Sequence, residues 1–378
     1  MRVFVISKGM PTEQYPLNGI FEFDQAKALA RSGAEVAMLV IDFRSGSYKR
    51  KYGFSEYETE GVRVFELSLP LGLYRRALPL LRYLLIKVYK KAVKACGQPD
   101  IIHAQFYSIG AIAAVLKKRY KVPFVITEHS SKLNTDLQNI SQLDLNLAKS
   151  AYQCADKLIA VSHALAANLK NNFQVEATVI PNIVDVSQFQ YVERTPKDDF
   201  TFISVGNLVK IKGFDQLLEA FAEAFKADNA VKLSIVGDGP ELENLQNTVT
   251  CLNLNGKVSL LRTIGRNRIK SFYQEGDAFV LASHSETFGV VFIEAMATGL
   301  PVIATSCGGP NDIVTENAGY LIPVDDRQAL VSALQAMRNN AYNFNSLEIS
   351  RNCIEKYSPE TVGRQIIEAY ASVSDSIR

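Results

Sequence analysis

The feature that leaves this chain least freedom is an alternation, played through twice. Short, largely apolar runs bounded by polar turns are each followed by a longer stretch with helical periodicity. The first series of runs covers Arg2–Ser7, Glu35–Ile41, Val62–Leu67, Ile101–Ala104, Phe124–Thr127, Lys157–Val161 and Thr178–Ile180. Helical stretches over Phe21–Arg31, Leu78–Ala95, Ile109–Arg119, Leu143–Ala155 and Ala164–Lys170 separate them. A strand apolar on both faces must be covered on both sides, and helices interposed between successive strands supply the cover. The pattern therefore predicts parallel sheets built from βαβ units.

The periodicity stops at Tyr191–Asp199, a polar stretch containing Pro196, which reads as an interdomain linker. It resumes with apolar runs at Phe200–Val205, Val231–Val236, Val258–Leu261, Ala278–Leu281, Val302–Ala304 and Tyr320–Ile322. Helices are expected over Phe214–Phe225, Glu241–Thr250, Arg266–Glu275, Val290–Thr298 and Arg327–Arg338. The expected fold class is α/β, with two tandem Rossmann-like, doubly wound domains over residues 1–192 and 193–359. Such sheets take ligands outside the carboxyl ends of their strands, so a cleft between the two sets is the expected site.

A length of 378 residues suits two domains. The near balance of 41 Lys and Arg against 39 Asp and Glu gives no footprint of a nucleic-acid binder. The apolar run in Met1–Ser7 is too short for a signal-peptide core, and eighteen consecutive apolar residues occur nowhere. Cys96, Cys154, Cys251, Cys307 and Cys353 are odd in number and never form a CxxC pair, which reads as buried thiols in a reducing compartment. These features place the expected protein in the cytoplasm.

The stretch carrying most chemistry runs from Ser283 through Glu286, Phe288, Gly289, Val290 and Glu294 to Gly299 and Pro301. A strand ends near Ser283, a loop carries Glu286, and Gly289 opens a helix bearing Glu294. Amides of Phe288, Gly289 and Val290 at a helix start suit a diphosphate. A carboxylate accepts hydrogen bonds through both oxygens, which fits Glu286 to sugar hydroxyls and Glu294 to a ribose diol. The plain alternative is a solvated helix face and a decorated loop, but Glu294 lies in Phe-Ile-Glu-Ala-Met-Ala, where a carboxylate needs a partner.

With Ala295-Met-Ala-Thr-Gly-Leu-Pro301 and Cys307-Gly-Gly-Pro-Asn-Asp-Ile-Val314 behind it, this E-x7-E element closely resembles the retaining glycosyltransferases of family 4, whose architecture is GT-B. Val205-Gly-Asn-Leu-Val-Lys-Ile-Lys212-Gly-Phe-Asp, Val236-Gly-Asp-Gly-Pro240 and Ile180-Pro-Asn-Ile-Val-Asp185 resemble further family landmarks, so the likeness spans nearly the whole chain. It implies that Glu294 holds ribose, Glu286 contacts the donor sugar near the reaction centre, and Lys212 neutralises the phosphates of the leaving group. Gly206 and Asn207 fall in the same segment. Many relatives carry Arg where Asn207 stands, leaving Lys210 or a group of the first domain to compensate, and Arg262 occupies a usual glycine position near the nucleobase. His129, in Ile126-Thr-Glu-His129, matches the family histidine that contacts the donor sugar. The loop Pro16-Leu-Asn-Gly19 would lie over the diphosphate, although a simple turn into a helix would also use Gly19. The tail, with a helix near Glu360–Ser372, resembles the family's return of residues 360–378 to the first domain.

The resemblance implies a nucleotide diphosphate sugar as donor, a UDP-sugar before others. The acceptor would be a saccharide or a lipid-linked group, in polysaccharide or glycolipid assembly. No cofactor is expected, and the absence of Asp-x-Asp argues for chemistry without a metal. Gly237-Asp-Gly239 lacks the third glycine of a dinucleotide fingerprint, and no P-loop occurs. A UDP-sugar epimerase and a non-catalytic sugar-nucleotide sensor are the competing readings. Finally, Leu67–Pro99 contains no acidic residue but holds Arg75, Arg76, Arg82, Lys87, Lys90, Lys91 and Lys94, beside an apolar stripe of Leu78, Leu81, Leu85, Val88 and Ala92. This points to peripheral contact of the Arg75–Lys94 face with an anionic membrane, the alternative being an ordinary solvated face.

Overall fold

The computed structural model describes residues 1–12, 14–15, 18–72, 77–134, 140–262 and 266–375. The chain forms two compact units, residues 1–183 with 359–378, and residues 184–358.

The first unit is built on one sheet of β1 (Arg2–Ser7), β2 (Glu35–Asp42), β3 (Gly53–Thr59), β4 (Val62–Ser68), β5 (Ile101–Gln105), β6 (Phe124–Glu128), β7 (Lys157–Ala160) and β8 (Thr178–Val179). Its helices are α1 (Ile20–Arg31), α2 (Leu78–Cys96), α3 (Phe106–Tyr120), α4 (Gln142–Cys154) and α5 (His163–Phe173). The strand order is β3-β4-β2-β1-β5-β6-β7-β8, parallel except for the pairing of β3 with β4. Strand β1 is the point where the winding reverses: Val3 pairs with Val36 of β2 on one side and Ile101 of β5 on the other.

The second unit repeats the scheme with β9 (Phe200–Val205), β10 (Val231–Val236), β11 (Val258–Leu261), β12 (Ala278–Leu281), β13 (Val302–Thr305) and β14 (Gly319–Ile322). Between and after them run α6 (Phe214–Ala224), α7 (Leu242–Cys251), α8 (Arg266–Glu275), α9 (Val290–Ala297), α10 (Pro310–Ile313), α11 (Arg327–Asn340) and α12 (Ser346–Tyr357). All pairs in its sheet, ordered β11-β10-β9-β12-β13-β14, are parallel, and the winding reverses between β9 and β12. Phe202, Phe221, Phe279 and Phe292 are fully buried within it. Withdrawing each such ring from water contributes roughly 1.5–3 kcal/mol.

The last helix, α13 (Pro359–Asp375), belongs to the first unit. Its Val362, Ile366, Tyr370 and Val373 join Val3, Ala28, Leu29 and Val36 in one core. Close approach to α1 explains Gly363, since a Cβ there would lie 2.7 Å from the Ala28 carbonyl oxygen.

Three features depart from the sequence expectation. The crossing into the second unit falls at Ile183–Val184, ahead of Tyr191–Asp199. That polar stretch is fastened to the second unit by Arg194, whose guanidinium donates to the carbonyls of Thr298, Gly276 and Tyr273. Burial lowers the Arg194 pKa to about 10, against the opposing pull of Asp277. Strand β3 was not expected because neither of its faces is continuously apolar, and helices α10 and α12 were not expected either. Among the described residues no helix is long and apolar enough to cross a membrane.

Candidate active site

In the second unit the candidate residues collect where β9 and β12 end side by side, the crevice that an open α/β sheet leaves at its reversal point. Beyond β9, Gly206 and an exposed Asn207 lead into a single helical turn, Lys210–Lys212, and then into α6. Gly213, with φ 63°, packs directly on the end of β12. A Cβ on it would lie 2.0 Å from the Ala282 carbonyl oxygen, so only glycine lets this turn come so near.

The approach brings two predicted residues together across 74 positions of sequence. Lys212 Nζ lies 2.5 Å from Glu286 Oε1. Ser283 Oγ donates to the same oxygen at 2.8 Å. Glu286 is itself pinned by its backbone: its amide donates to the Cys307 carbonyl at 3.2 Å, and its carbonyl accepts from the Gly309 amide at 2.8 Å. It is 8% exposed. Helix α9 follows, begun by Gly289 in the left-handed region with φ 100° and flanked by buried Phe288 and half-buried Val290. The first amides of a helix have no acceptor within it, which suits them to an anion.

Glu294, half-buried on α9, accepts a 2.7 Å hydrogen bond from Tyr273 Oη. Tyr273 lies on α8, fully buried against Phe189 and Phe279. Burial, and then the Glu294 carboxylate, push its phenol well above the usual range. The Glu294 headgroup is thus held by a rigid donor. Arg262 is exposed just past β11, two strands from β9.

In the first unit the candidates lie past the ends of β1, β5 and β6. Gly19 has φ 72°, and a Cβ there would meet the Gly9 carbonyl oxygen at 2.2 Å. Asn18 Nδ2 donates to the Met10 carbonyl. This close turn requires glycine whether or not a phosphate sits over it; Pro16 and Leu17 lie outside the described residues. His129 follows β6 and is 8% exposed. Its backbone is fixed by the buried Glu128 carboxylate, which accepts from the amides of Tyr107, His129 and Ser130 and from Tyr152 Oη at 2.6–3.0 Å. Burial raises the Glu128 pKa and these four donors pull it back. Burial also lowers the pKa of His129 to about 3, so its ring is neutral under working conditions.

Sequence reasoning passed over Gln105, Phe106, Glu128, Lys8 and Tyr273. Gln105 Oε1 lies 2.8 Å from His129 Nε2. The Phe106 ring centroid lies 5.1 Å from the imidazole, with Lys8 Nζ 4.6 Å from the same ring. Phe106 has φ 67°, a costly conformation for an aromatic residue and one that concentrates at functional sites. The available signal was polar residues, Gln105 and Glu128, closing otherwise apolar strands. Among the described residues, no three His, Cys, Asp or Glu side chains gather closely enough to hold a metal ion.

Two family models tile this chain: Glycosyltransferase Family 4 over residues 23–188 and Glycosyl transferases group 1 over residues 186–361. The chain belongs to the family 4 glycosyltransferases. This glycosyltransferase is 28% identical over 357 residues to the putative teichuronic acid biosynthesis glycosyltransferase TuaC of Bacillus subtilis, covering 88% of each chain. Among solved structures it is similar to sucrose-phosphate synthase of Thermosynechococcus elongatus, with a TM-score of 0.82 and 21% identity over all of both chains. Anabaena HepE in complex with UDP matches at a TM-score of 0.75 and 22% identity, over 98% of this chain and 99% of that one. The fold of the glycosyltransferase is accordingly GT-B, and its activity is transfer of a sugar from a sugar nucleotide.

Proposed function

We propose that this enzyme transfers a hexose or N-acetylhexosamine from a UDP-sugar, with retention of configuration and without a metal ion or other cofactor. The acceptor is a saccharide or a lipid-linked group in polysaccharide or glycolipid assembly. The observation that carries the reading is the Lys212–Glu286 pair set beside the Gly289 start of α9. It supports a diphosphate near Lys212 and the first amides of α9, with Glu286 at the sugar and Glu294 at the ribose. In the reaction the acceptor hydroxyl attacks the anomeric carbon from the face that the diphosphate leaves. The bond from carbon to phosphate oxygen breaks, the new glycosidic bond forms, and the hydroxyl proton passes to the departing oxygen. Lys212 acts on charge that grows as this happens, which places its effect in the transition state.

The similarity to HepE, which has been solved with UDP and with UDP-glucose, supports the choice of donor. TuaC, whose name places it in teichuronic acid biosynthesis, supports an acceptor in polysaccharide assembly. A peripheral membrane contact rests on α2, where Lys87, Lys90, Lys91 and Lys94 are exposed beside exposed Leu80 and Tyr83. Arg82 leaves that face, since its guanidinium donates to the Ala111 carbonyl, and Arg75 and Arg76 lie outside the described residues.

The test is a thermal-shift panel of UDP-, GDP- and ADP-sugars, since a ligand of the native state raises apparent stability. It is followed by assays with and without acceptor. The reading expects UDP-sugars to stabilise most. Epimer formed from the UDP-sugar alone would favour the epimerase, and stabilisation without turnover on any acceptor would favour the sensor.

A further inference from the structure

We propose that the loops after β1 and β2 form an acceptor subsite for a saccharide bearing a carboxylate or phosphate group, with Arg44 as the residue that selects for the charge. The inference rests on the reading of this enzyme as a transferase with a saccharide acceptor, and adds the acceptor's charge to it. Strand β2 ends at Asp42, whose carboxylate is buried. Two guanidiniums share it. Arg44 donates from Nε and Nη2 to its two oxygens at 2.7–3.1 Å, and Arg50 Nε lies 3.1 Å from Oδ2. The side chains of Arg44 and Arg50 are 19% and 6% exposed, so both charges are largely withdrawn from water. One carboxylate balances one of them. Among the described residues no second acid pairs with either arginine, which leaves a half-desolvated positive charge whose complement is an anion.

The two arginines have different parts. Arg50 builds the loop: its guanidinium donates to the carbonyls of Arg44, Ser45, Tyr48 and Leu69 at 2.8–3.1 Å. Residues 44–48 are thereby fixed and tied to the segment after β4. Both Nη groups of Arg50 are occupied by these carbonyls, and its Nε faces Asp42, so it has no donor left for a ligand. Arg44 engages Asp42 through Nε and Nη2 only, and its Nη1 meets no acceptor among the described residues. A guanidinium edge of this kind fits a carboxylate or phosphate oxygen.

Aromatic rings frame that edge. The Arg44 guanidinium lies 5.2 and 5.1 Å from the ring centroids of Tyr15 and Tyr48, and the two rings meet edge to face at 5.5 Å. Tyr15 belongs to the loop between β1 and α1 that ends in Gly19, so the cluster is continuous with the candidate residues past β1. Tyr48 and Tyr52 are 43% and 45% exposed, and the Tyr52 hydroxyl donates to the Gly46 carbonyl. A rigid phenol ring held at the surface offers an apolar face on which a sugar ring packs and a polar tip for its hydroxyls. Exposed Lys49 and Lys51 extend the positive field. In the proposed reaction the donor diphosphate belongs to Lys212 and α9 of the second unit, so a separate cation past β2 addresses the other substrate.

Calorimetric titration of the full chain, with UDP present to fill the donor site, tests this with trigalacturonate, glucose 1-phosphate and neutral maltotriose. At least one charged probe should bind about tenfold more tightly than maltotriose, a preference that weakens with salt. Response to trigalacturonate alone names a carboxylate acceptor, and response to glucose 1-phosphate alone names a phosphate acceptor. Arg44→Met leaves Asp42 paired with Arg50, so the loop should hold; the variant should lose the roughly tenfold preference and keep parental UDP affinity. Changing Lys87, Lys90, Lys91 and Lys94 of α2 to Gln should leave the preference intact. Equal binding of charged and neutral probes overturns the proposal, as does no binding of either charged probe. So does a preference that survives Arg44→Met or vanishes with the α2 lysines. Loss of UDP affinity in Arg44→Met also overturns it, by placing the arginine at the donor. Should the methionine variant fail to fold, changing the exposed Lys49 and Lys51 to Gln decides, since that should weaken the charged probes severalfold and spare maltotriose. A parent that binds no UDP sinks the transferase reading itself, whereas a missing charge preference with UDP binding intact sinks this inference alone.

Discussion

Replacing Glu294 by Gln removes a negative charge from a carboxylate whose position is already determined by Tyr273. A charged hydrogen bond to a ribose diol is worth roughly 1.5–3 kcal/mol, so UDP affinity should fall about ten- to 150-fold. Tyr273→Phe acts on the same headgroup from behind. It deletes a 2.7 Å hydrogen bond but leaves the ring against Phe189 and Phe279 at centroid distances of 5.5 and 6.0 Å. Glu294 is half-buried and can rehydrate, so the stability cost should be about 1 kcal/mol. UDP affinity should drop severalfold, because the carboxylate survives but loses its orientation. If Tyr273 works only through Glu294, adding Tyr273→Phe to Glu294→Gln should change UDP binding little further, a strong departure from additivity. Calorimetric titration with UDP across the four proteins, each checked for folding by circular dichroism, measures all of this. Parental UDP affinity in folded Glu294→Gln would remove the ribose assignment, and strict additivity of the two changes would remove the role of Tyr273.

Lys212→Ala should lower turnover at saturating donor by a factor of ten to a thousand, with a smaller effect on UDP-sugar binding, because its charge matters most as the diphosphate departs; equal turnover in variant and parent would move the role to Lys210. Activity should survive EDTA, and loss on chelation with rescue by Mg²⁺ or Mn²⁺ would contradict metal-free transfer. Co-sedimentation with vesicles should increase with phosphatidylglycerol content and fall with salt. Changing Lys87, Lys90, Lys91 and Lys94 to Gln should abolish it, since each lysine near the surface contributes about 1 kcal/mol. Equal binding by that variant would make α2 an ordinary solvated face.

Much of the fold was legible because parallel strands buried on both faces leave short apolar runs, which their bounding turns and the interposed helical stretches distinguish from buried helix segments. Val3, Phe4, Val5 and Ile6 in β1 are examples, all fully or almost fully buried. Strand β3 escaped because Phe54, Glu56, Tyr57 and Glu58 all face solvent, and only its pairing with β4 makes it a strand. Helix α12 escaped because Ile349, Cys353 and Tyr357 are a sparse apolar stripe among polar residues. In the site, the spacing of Glu286 and Glu294 was readable as one loop and one helix. The pairing of Lys212 with Glu286 was not, because it depends on Gly213 lying against Ala282, a contact between strands whose adjacency only the sheet order decides. The support around His129 was hidden for the same reason: Gln105 and Glu128 close neighbouring strands, and nothing local marks them as a pair.

The placement of α13 has a consequence for synthesis. The first unit lacks one wall of its core until Val362, Ile366, Tyr370 and Val373 have been made, and residues 184–358 are translated before them. A nascent chain therefore holds Ala28 and Leu29 of α1 uncovered while the whole second unit emerges and folds. Vectorial completion, with domains finished in the order they leave the ribosome, is closed to this topology: the half translated first is the half finished last. Protease pulses on stalled chains should find α1 accessible in every intermediate that stops short of Pro359, and protected once α13 has docked.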